Sequence, residues 1–160
     1  MIFVTLGNQN FQFKRLLISI EGLINDGIIS EPVVVQSGYT VYKSDLFISK
    51  KFLGKDEFND YVKKAEYIIS HAGTGSIISC LKQNKKVVVA ARLQKYGEHI
   101  DNHQVEILQS FSDKNFIVGL NPELSDIENK IKSIDKINLN FFISNNDYFN
   151  RKLIEIIEGL

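Results

Sequence analysis

"YIISHAGTGSII", residues 67–78, joins an apolar run to a second apolar segment through a turn rich in glycine and hydroxyl groups. Tyr67, Ile68 and Ile69 carry the aromatic and β-branched character of a buried strand. Ile77, Ile78 and Leu81 return at the spacing of a helix face. The stretch therefore reads as strand, glycine turn and helix, with the helix beginning near Gly75 or Ser76.

The same alternation repeats outward from this junction. Upstream, IFVTL (2–6) reads as a strand, and Phe13, Leu16, Leu17, Ile20, Leu23 and Ile24 mark a helix that Gly27 is placed to end. VVVQ (33–36) and LFIS (46–49) read as further strands, and Phe58, Tyr61, Val62 and Ala65 as one face of another helix. Downstream, KVVVAA (86–91) and FIVGL (116–120) are β-branched runs bounded by turn residues. Asn121-Pro122 reads as a cap followed by a first-turn proline, continued as a helix by Leu124, Ile127, Ile131 and Ile134. A last helix is expected after Asn146 and Asp147, with Phe149, Leu153, Ile156 and Ile157 on its inner face. Apolar strands alternating with helices imply parallel pairing and an α/β layered sheet. The 160 residues, without repeat or linker, are read as one domain over 1–160.

A parallel sheet binds ligands beyond the carboxyl ends of its strands. That rule selects three loops: Gly7 to Phe11, His71 to Gly75, and Arg92 to His103. The unusual residues of the chain are concentrated there. Composition narrows the ligand. The 19 basic and 19 acidic residues balance, which argues against nucleic acid as the main partner. The single cysteine, Cys80, cannot form an internal disulfide. No apolar stretch reaches the ~18 residues of a bilayer span. The polar turn after Leu6 is unlike a secretory leader, so a cytoplasmic chain is expected.

Within the central turn, the phosphate loop G-x-x-x-x-G-K-[ST] is missing, and G-x-G-x-x-G starts at Gly73 and Gly75 but meets Ile78 at its third glycine position. Ser76 directly follows Gly75, which does not fit a nucleophile elbow. Two readings stay open. Gly73, Thr74, Gly75 and Ser76 form an anion-binding helix start, or a Thr or Ser in the turn merely caps the helix. His71, at the strand end, fits either a ligand contact or a hydrogen-bonded core residue.

The second cluster, "RLQKYGEHIDNHQ" at 92–104, is dense in amides, carboxylates and imidazoles. His99 and His103 are spaced for one helical face, but Ile100 stands where a zincin glutamate would be, so no metal site is expected. Glu98 and Asp101 suit the start of a helix. The mixture of donors and acceptors also suits sugar hydroxyls, and Arg92, Lys95 and Tyr96 suit base or phosphate contacts.

Together, "FVTLGNQNF", "SHAGTGSI" and "VVVAARLQKYGEHIDNHQ" resemble the C-terminal, nucleotide-sugar-binding domain of glycosyltransferase family 28 over residues 1 to about 120. Within that family the chain is similar to small bacterial exopolysaccharide and capsule transferase subunits, to the catalytic subunit of the two-part eukaryotic enzyme that adds N-acetylglucosamine to a lipid-linked sugar, and to the donor half of the peptidoglycan lipid transferase MurG. The resemblance implies a Rossmann-like parallel sheet with flanking helices, the donor-binding C-terminal half of a GT-B enzyme. It implies an inverting hexosyltransferase using a UDP-sugar, with no cofactor. It further implies a lipid-linked sugar acceptor and a membrane-anchored acceptor-binding subunit that holds the chain at the inner face of the membrane; a homo-oligomer is allowed.

Residue by residue, the resemblance places Gly7, Gly73, Thr74, Gly75 and Ser76 around the diphosphate. His103 and Gln104 fall where relatives hold the donor sugar, and Glu98 and His99 lie in a loop near it. Many relatives carry a ribose-binding glutamate where this chain has Ser79. Glu98, His99 and Asp101 are candidates for the catalytic base, with the partner subunit as the alternative source. His71 and Arg92 complete the expected binding set.

Overall fold

The computed structural model describes residues 1–145 and forms a six-stranded, all-parallel sheet. In chain order the elements are β1 (Ile2–Thr5), α1 (Lys14–Asn25), β2 (Val33–Gln36), β3 (Ile48–Lys50), α2 (Lys55–Lys64), β4 (Ile68–His71), α3 (Thr74–Leu81), β5 (Val87–Ala90), α4 (His103–Asp113), β6 (Val118–Gly119) and α5 (Ile127–Lys132). Short 3₁₀ turns occupy Gln94–Tyr96 and Ile134–Lys136. Across the sheet the order is β3-β2-β1-β4-β5-β6, so the chain reverses its direction of travel between β1 and β4. Ligands of open α/β sheets bind at such a reversal, because the flanking loops leave to opposite sides and open a crevice.

Both faces of the sheet are covered over its centre, which is why β1, β2, β4 and β5 are buried along their whole length while the edge strand β3 is largely exposed. Successive side chains alternate across β1: Ile2 and Val4 join Leu16, Leu17, Ile20 and Ile127 on one face. Phe3 joins Val62, Ile77 and Leu108 on the other. The Phe3 ring stacks on Tyr61 with centroids 5.5 Å apart and meets Phe58 edge-on at 5.4 Å. Cys80 is fully buried in this second layer, and burial pushes its thiol up to about 12, so it packs as an inert small hydrophobe.

The expected strands and helices are present with local differences. The third strand covers 48–50 instead of 46–49. Helix α1 ends as predicted, with Gly27 at φ +70 and Ile28 N–H bonded to the Leu23 carbonyl. The predicted helix after Asn121-Pro122 begins only at Ile127. Asn121 opens a turn instead: its carbonyl accepts the Leu124 N–H and its side chain accepts the Ser125 N–H, while Leu124 sits at φ +60. The asparagine thus supports a turn of its own and leaves Asp126 to begin the helix. The helix expected after residue 146 lies outside the described residues. Among the described residues no helix is long and apolar enough to cross a membrane.

Candidate functional site

A cleft of about 570 Å³ opens above the carboxyl ends of β1, β2 and β4, at the reversal in strand order. Gly7 from the β1–α1 loop and Gly73, Thr74, Gly75 and Ser76 from the β4–α3 junction line one part of it. Leu53, Lys55, Phe58 and Asn59, around the start of α2, also line it. The lining thus combines backbone donors and hydroxyls with an aliphatic and an aromatic side chain.

The β4–α3 junction bears on the choice left open by the sequence. Helix α3 starts at Thr74, one residue before the expected start, and its N-cap is Gly73 in extended conformation. The capping reading required a Thr or Ser side chain to bond the first turn, but no side chain caps this helix among the described residues. Its leading N–H groups have no partner within the helix and face the cleft, where the helix dipole favours an anion by about 0.3–1 kcal/mol. Ser79, one turn further on, donates its hydroxyl to the Gly75 carbonyl at 2.8 Å, which leaves its oxygen as an acceptor at the cleft wall.

His71 explains why two of the glycines are needed. Its ring is almost fully buried, with Nδ1 3.3 Å from the Thr5 carbonyl. A Cβ on Gly7 would lie 2.5 Å from its Cε1, and one on Gly73 only 2.1 Å from its Nε2. The imidazole is thus held between two glycine backbones, and Gly7 also needs its freedom at φ +73. We expect Gly73→Ala to cost about 1–3 kcal/mol in urea unfolding, because the buried ring cannot move aside. Gly75→Ala, with nothing within 4 Å of its Cβ, should leave stability unchanged or slightly raised.

Burial, with the nearby Arg92 charge acting in the same sense, pulls the His71 pKa down from 6.5 to about 3. The native state then holds fewer protons than the unfolded chain between those values. Stability from this group is present above pH 6.5 and is lost as pH falls toward 3. Between pH 6 and 5 the wild-type chain should lose stability at up to about 1.4 kcal/mol per pH unit more steeply than His71→Asn, measured by urea titration at each pH.

Beneath the glycine loops runs a polar chain that sequence reading did not single out. Thr5 Oγ1 donates to Gln36 Oε1 at 2.8 Å, Gln36 Nε2 donates to Asn8 Oδ1 at 2.9 Å, and Gly7 N–H points to Thr5 Oγ1 at 3.4 Å. The chain ties the β1–α1 loop to the end of β2. Its sequence signal was the amide closing the apolar run VVVQ, a buried polar group at a strand's carboxyl end. Lys55, Phe58 and Asn59 gave no such signal, since helical spacing alone accounts for Phe58.

The cluster at 92–104 divides differently from the expectation. Seven of the ten expected binding residues line the cleft, whereas Arg92, His103 and Gln104 are not among its lining residues. Gln104 is buried, with Oε1 accepting the Arg92 N–H at 3.0 Å. Arg92 is 1% exposed; Nη2 donates to the Leu6 carbonyl at 2.7 Å, its guanidinium packs over Phe13, and Nε and Nη1 have no partner among the described residues. Burial lowers its pKa to about 10, which still leaves it charged at neutral pH. His99 and His103 do not share a helical face, because α4 begins only at His103 and His99 lies in the preceding loop.

Glu98 does not sit at the start of α4 either. It is 4% exposed and turns inward, taking a two-pronged bond from Arg15 at 3.0 and 2.9 Å and the Leu93 N–H at 3.0 Å. Arg15, missed by the sequence reading, also donates to the Ala91 and Pro122 carbonyls and stacks over Tyr96. Asp101 does serve α4: its carboxylate accepts the His103 N–H at 3.0 Å, and that bond, with His99, holds it below the usual carboxylate range.

The family model described as the glycosyltransferase family 28 C-terminal domain matches residues 1–145. The chain belongs to this family. Among curated relatives of this family 28 domain is the UDP-N-acetylglucosamine transferase subunit ALG13 of Candida albicans, 37% identical over 81 residues, which are 51% of this chain and 26% of that protein. The subunit of the same name from Candida glabrata is 39% identical over 77 residues, covering 46% of this chain and 37% of the relative. The chain thus spans well under half the length of these relatives. In fold, the family 28 domain is similar to the NMR solution structure of ALG13, with a TM-score of 0.57, 23% identity and coverage of 96% of this chain and 94% of that one. It is also similar to the glycotransferase of kitacinnamycin, with a TM-score of 0.57, 14% identity and coverage of 85% and 35%. These structures establish the Rossmann-like, GT-B type of architecture.

Proposed function

We propose that this family 28 domain is the donor-binding subunit of a glycosyltransferase that takes a hexose from a UDP-sugar. The observation that carries the reading is the uncapped N-terminus of α3, which opens with the Gly7 turn into the cleft at the sheet's reversal point. The diphosphate lies against the N–H groups of Thr74, Gly75 and Ser76 and the Gly7 loop, with the hydroxyls of Thr74 and Ser76 as further donors. Uracil packs toward Leu53 and Phe58, and Ser79 accepts a ribose hydroxyl where relatives use a glutamate. The sugar projects toward the loop carrying Glu98 to Gln104. The names of the relatives as UDP-N-acetylglucosamine transferase subunits support the donor class.

In the reaction, an acceptor hydroxyl attacks the anomeric carbon from the face opposite the diphosphate while a base takes its proton, so the configuration inverts. The developing charge on the leaving UDP is stabilised by backbone donors already aimed at it. The acceptor is a lipid-linked sugar held by a membrane-anchored subunit, and the setting is exopolysaccharide or capsule synthesis. The chain stands at the inner face of the membrane through that partner.

Calorimetry tests the donor site: UDP should bind the full chain at least about tenfold more tightly than uridine, because uridine lacks the anion that α3 recognises. Equal affinity for the two, or no UDP binding by the chain alone or with membranes of its source cell, would contradict the assignment. A non-catalytic nucleotide-sugar-binding subunit is the second reading, kept open by Ser79. It predicts UDP binding without any loss of transfer when the loop residues are changed.

A further inference from the structure

We propose that His99, oriented by Asp101, is the base that takes the proton from the acceptor hydroxyl. The proposal rests on the UDP-sugar reading above. His99 lies in the loop after β5, at the same sheet edge as the cleft. Its ring packs on Phe11 of the β1–α1 loop with centroids 4.6 Å apart, which leaves the side chain only 13% exposed. Its Nδ1 is 2.9 Å from Asp101 Oδ1. The Asp101 carboxylate is held in turn by the His103 N–H, and the Asp101 backbone N–H donates to the same His99 Nδ1 at 3.4 Å, a longer contact than the 2.9 Å to the carboxylate. The shorter, charge-assisted contact favours the tautomer in which Nδ1 donates to the Asp101 carboxylate and Nε2 keeps its lone pair.

The charged and titratable groups that face this position support the choice. Arg92 from the end of β5 and His71 from the end of β4 lie beside the loop, and His99 is close enough to His71 to act on its protonation. His71 cannot take the role, since its ring is pinched between Gly7 and Gly73. Glu98 is committed to Arg15 and the Leu93 N–H. His103 also meets a carboxylate, with Nδ1 2.9 Å from Glu106, but its side chain is 63% exposed on the first turn of α4 and has no ring packed against it. Like Glu98 and Asp101, His99 is not among the cleft's lining residues, but of these groups it alone combines a carboxylate partner with a ring packed on the β1–α1 loop, whose Gly7, Asn8 and Gln9 do line the cleft.

The step balances without another reactant. The acceptor oxygen forms a bond to the anomeric carbon, and the bond from that carbon to the diphosphate breaks, leaving its electron pair on UDP. The acceptor proton passes to His99 Nε2, and the Asp101 carboxylate stabilises the imidazolium.

The test uses membranes of the source cells carrying the native chain or a variant, supplied with labelled UDP-hexoses, beside calorimetry of UDP on each purified chain. His99→Gln should lower kcat at least about a hundredfold while UDP affinity stays within about threefold. Native transfer should fall as the medium is acidified, and the residual rate of His99→Gln should lose that dependence. Asp101→Asn should lower kcat about tenfold or more with UDP binding kept, and it carries the test if the His99 variant does not fold. Transfer by His99→Gln within tenfold of native, an unchanged acid limb, or parallel loss of UDP binding would overturn the proposal. If the native chain fails to bind UDP, the donor-site reading itself fails; if UDP binds and His99→Gln transfers normally, only the base assignment does.

Discussion

Gly75→Asp is expected to abolish UDP binding, by at least about a hundredfold in calorimetry, while leaving the domain folded. Gly75 sits in the first turn of α3 with nothing within 4 Å of the position its Cβ would take. An aspartate there meets no steric resistance, and a carboxylate in the first turn of a helix is itself favourable. The same carboxylate occupies the space where the diphosphate would lie and adds a like charge to it. A hundredfold loss corresponds to about 2.7 kcal/mol, within reach of a close like-charge repulsion plus the lost backbone contacts. An unchanged Tm with lost binding separates this site effect from the packing effect expected at Gly73, two residues away.

Glu98→Ala should have the largest effect on stability, about 3 kcal/mol in urea unfolding. The substitution leaves the half-buried Arg15 without its two-pronged partner and the buried Leu93 N–H without an acceptor. Arg15→Ala should cost a comparable amount, and the double variant clearly less than the sum, because both single changes strand the other's charge. The pair spans 83 residues of chain and ties α1 to the loop that carries His99 and Asp101. Transfer by Glu98→Ala should therefore fall as well, measured at a temperature where the variant remains folded.

These two positions illustrate how much was legible in the sequence. The strand–turn–helix grammar was local and strong, so "YIISHAGTGSII" disclosed a parallel sheet and the glycine turn at its carboxyl edge. The position of that turn beside Gly7 also followed, since a parallel sheet gathers such loops on one edge. Whether the turn carries a side-chain cap could not be read, because Thr74 and Ser76 suit both a cap and an open helix start; that depended on a backbone start at Thr74 with no side-chain cap among the described residues.

Misreadings arose where a residue's partner was distant. Glu98 looked like a helix-start carboxylate until Arg15 was found against it. Gln104 and Arg92, expected as ligand groups, also hold structural bonds that the sequence did not show, to each other and to the Leu6 carbonyl. Asn121-Pro122 had the composition of a helix start, but the asparagine side chain bonds Ser125 and the helix is delayed to Ile127. His71 showed the opposite pattern: its role as the ring gripped by Gly7 and Gly73 explains two glycines that local sequence could only call permissive.

The most direct test of the account is a titration of the ¹⁵N-labelled full chain with UDP, followed by backbone amide NMR. The account predicts saturable shifts centred on Gly7, Thr74, Gly75 and Ser76, with weaker ones at Phe58 and Asn59, and no comparable change in Gly75→Asp. Saturation with shifts centred elsewhere, or an unaltered response in Gly75→Asp, would contradict it.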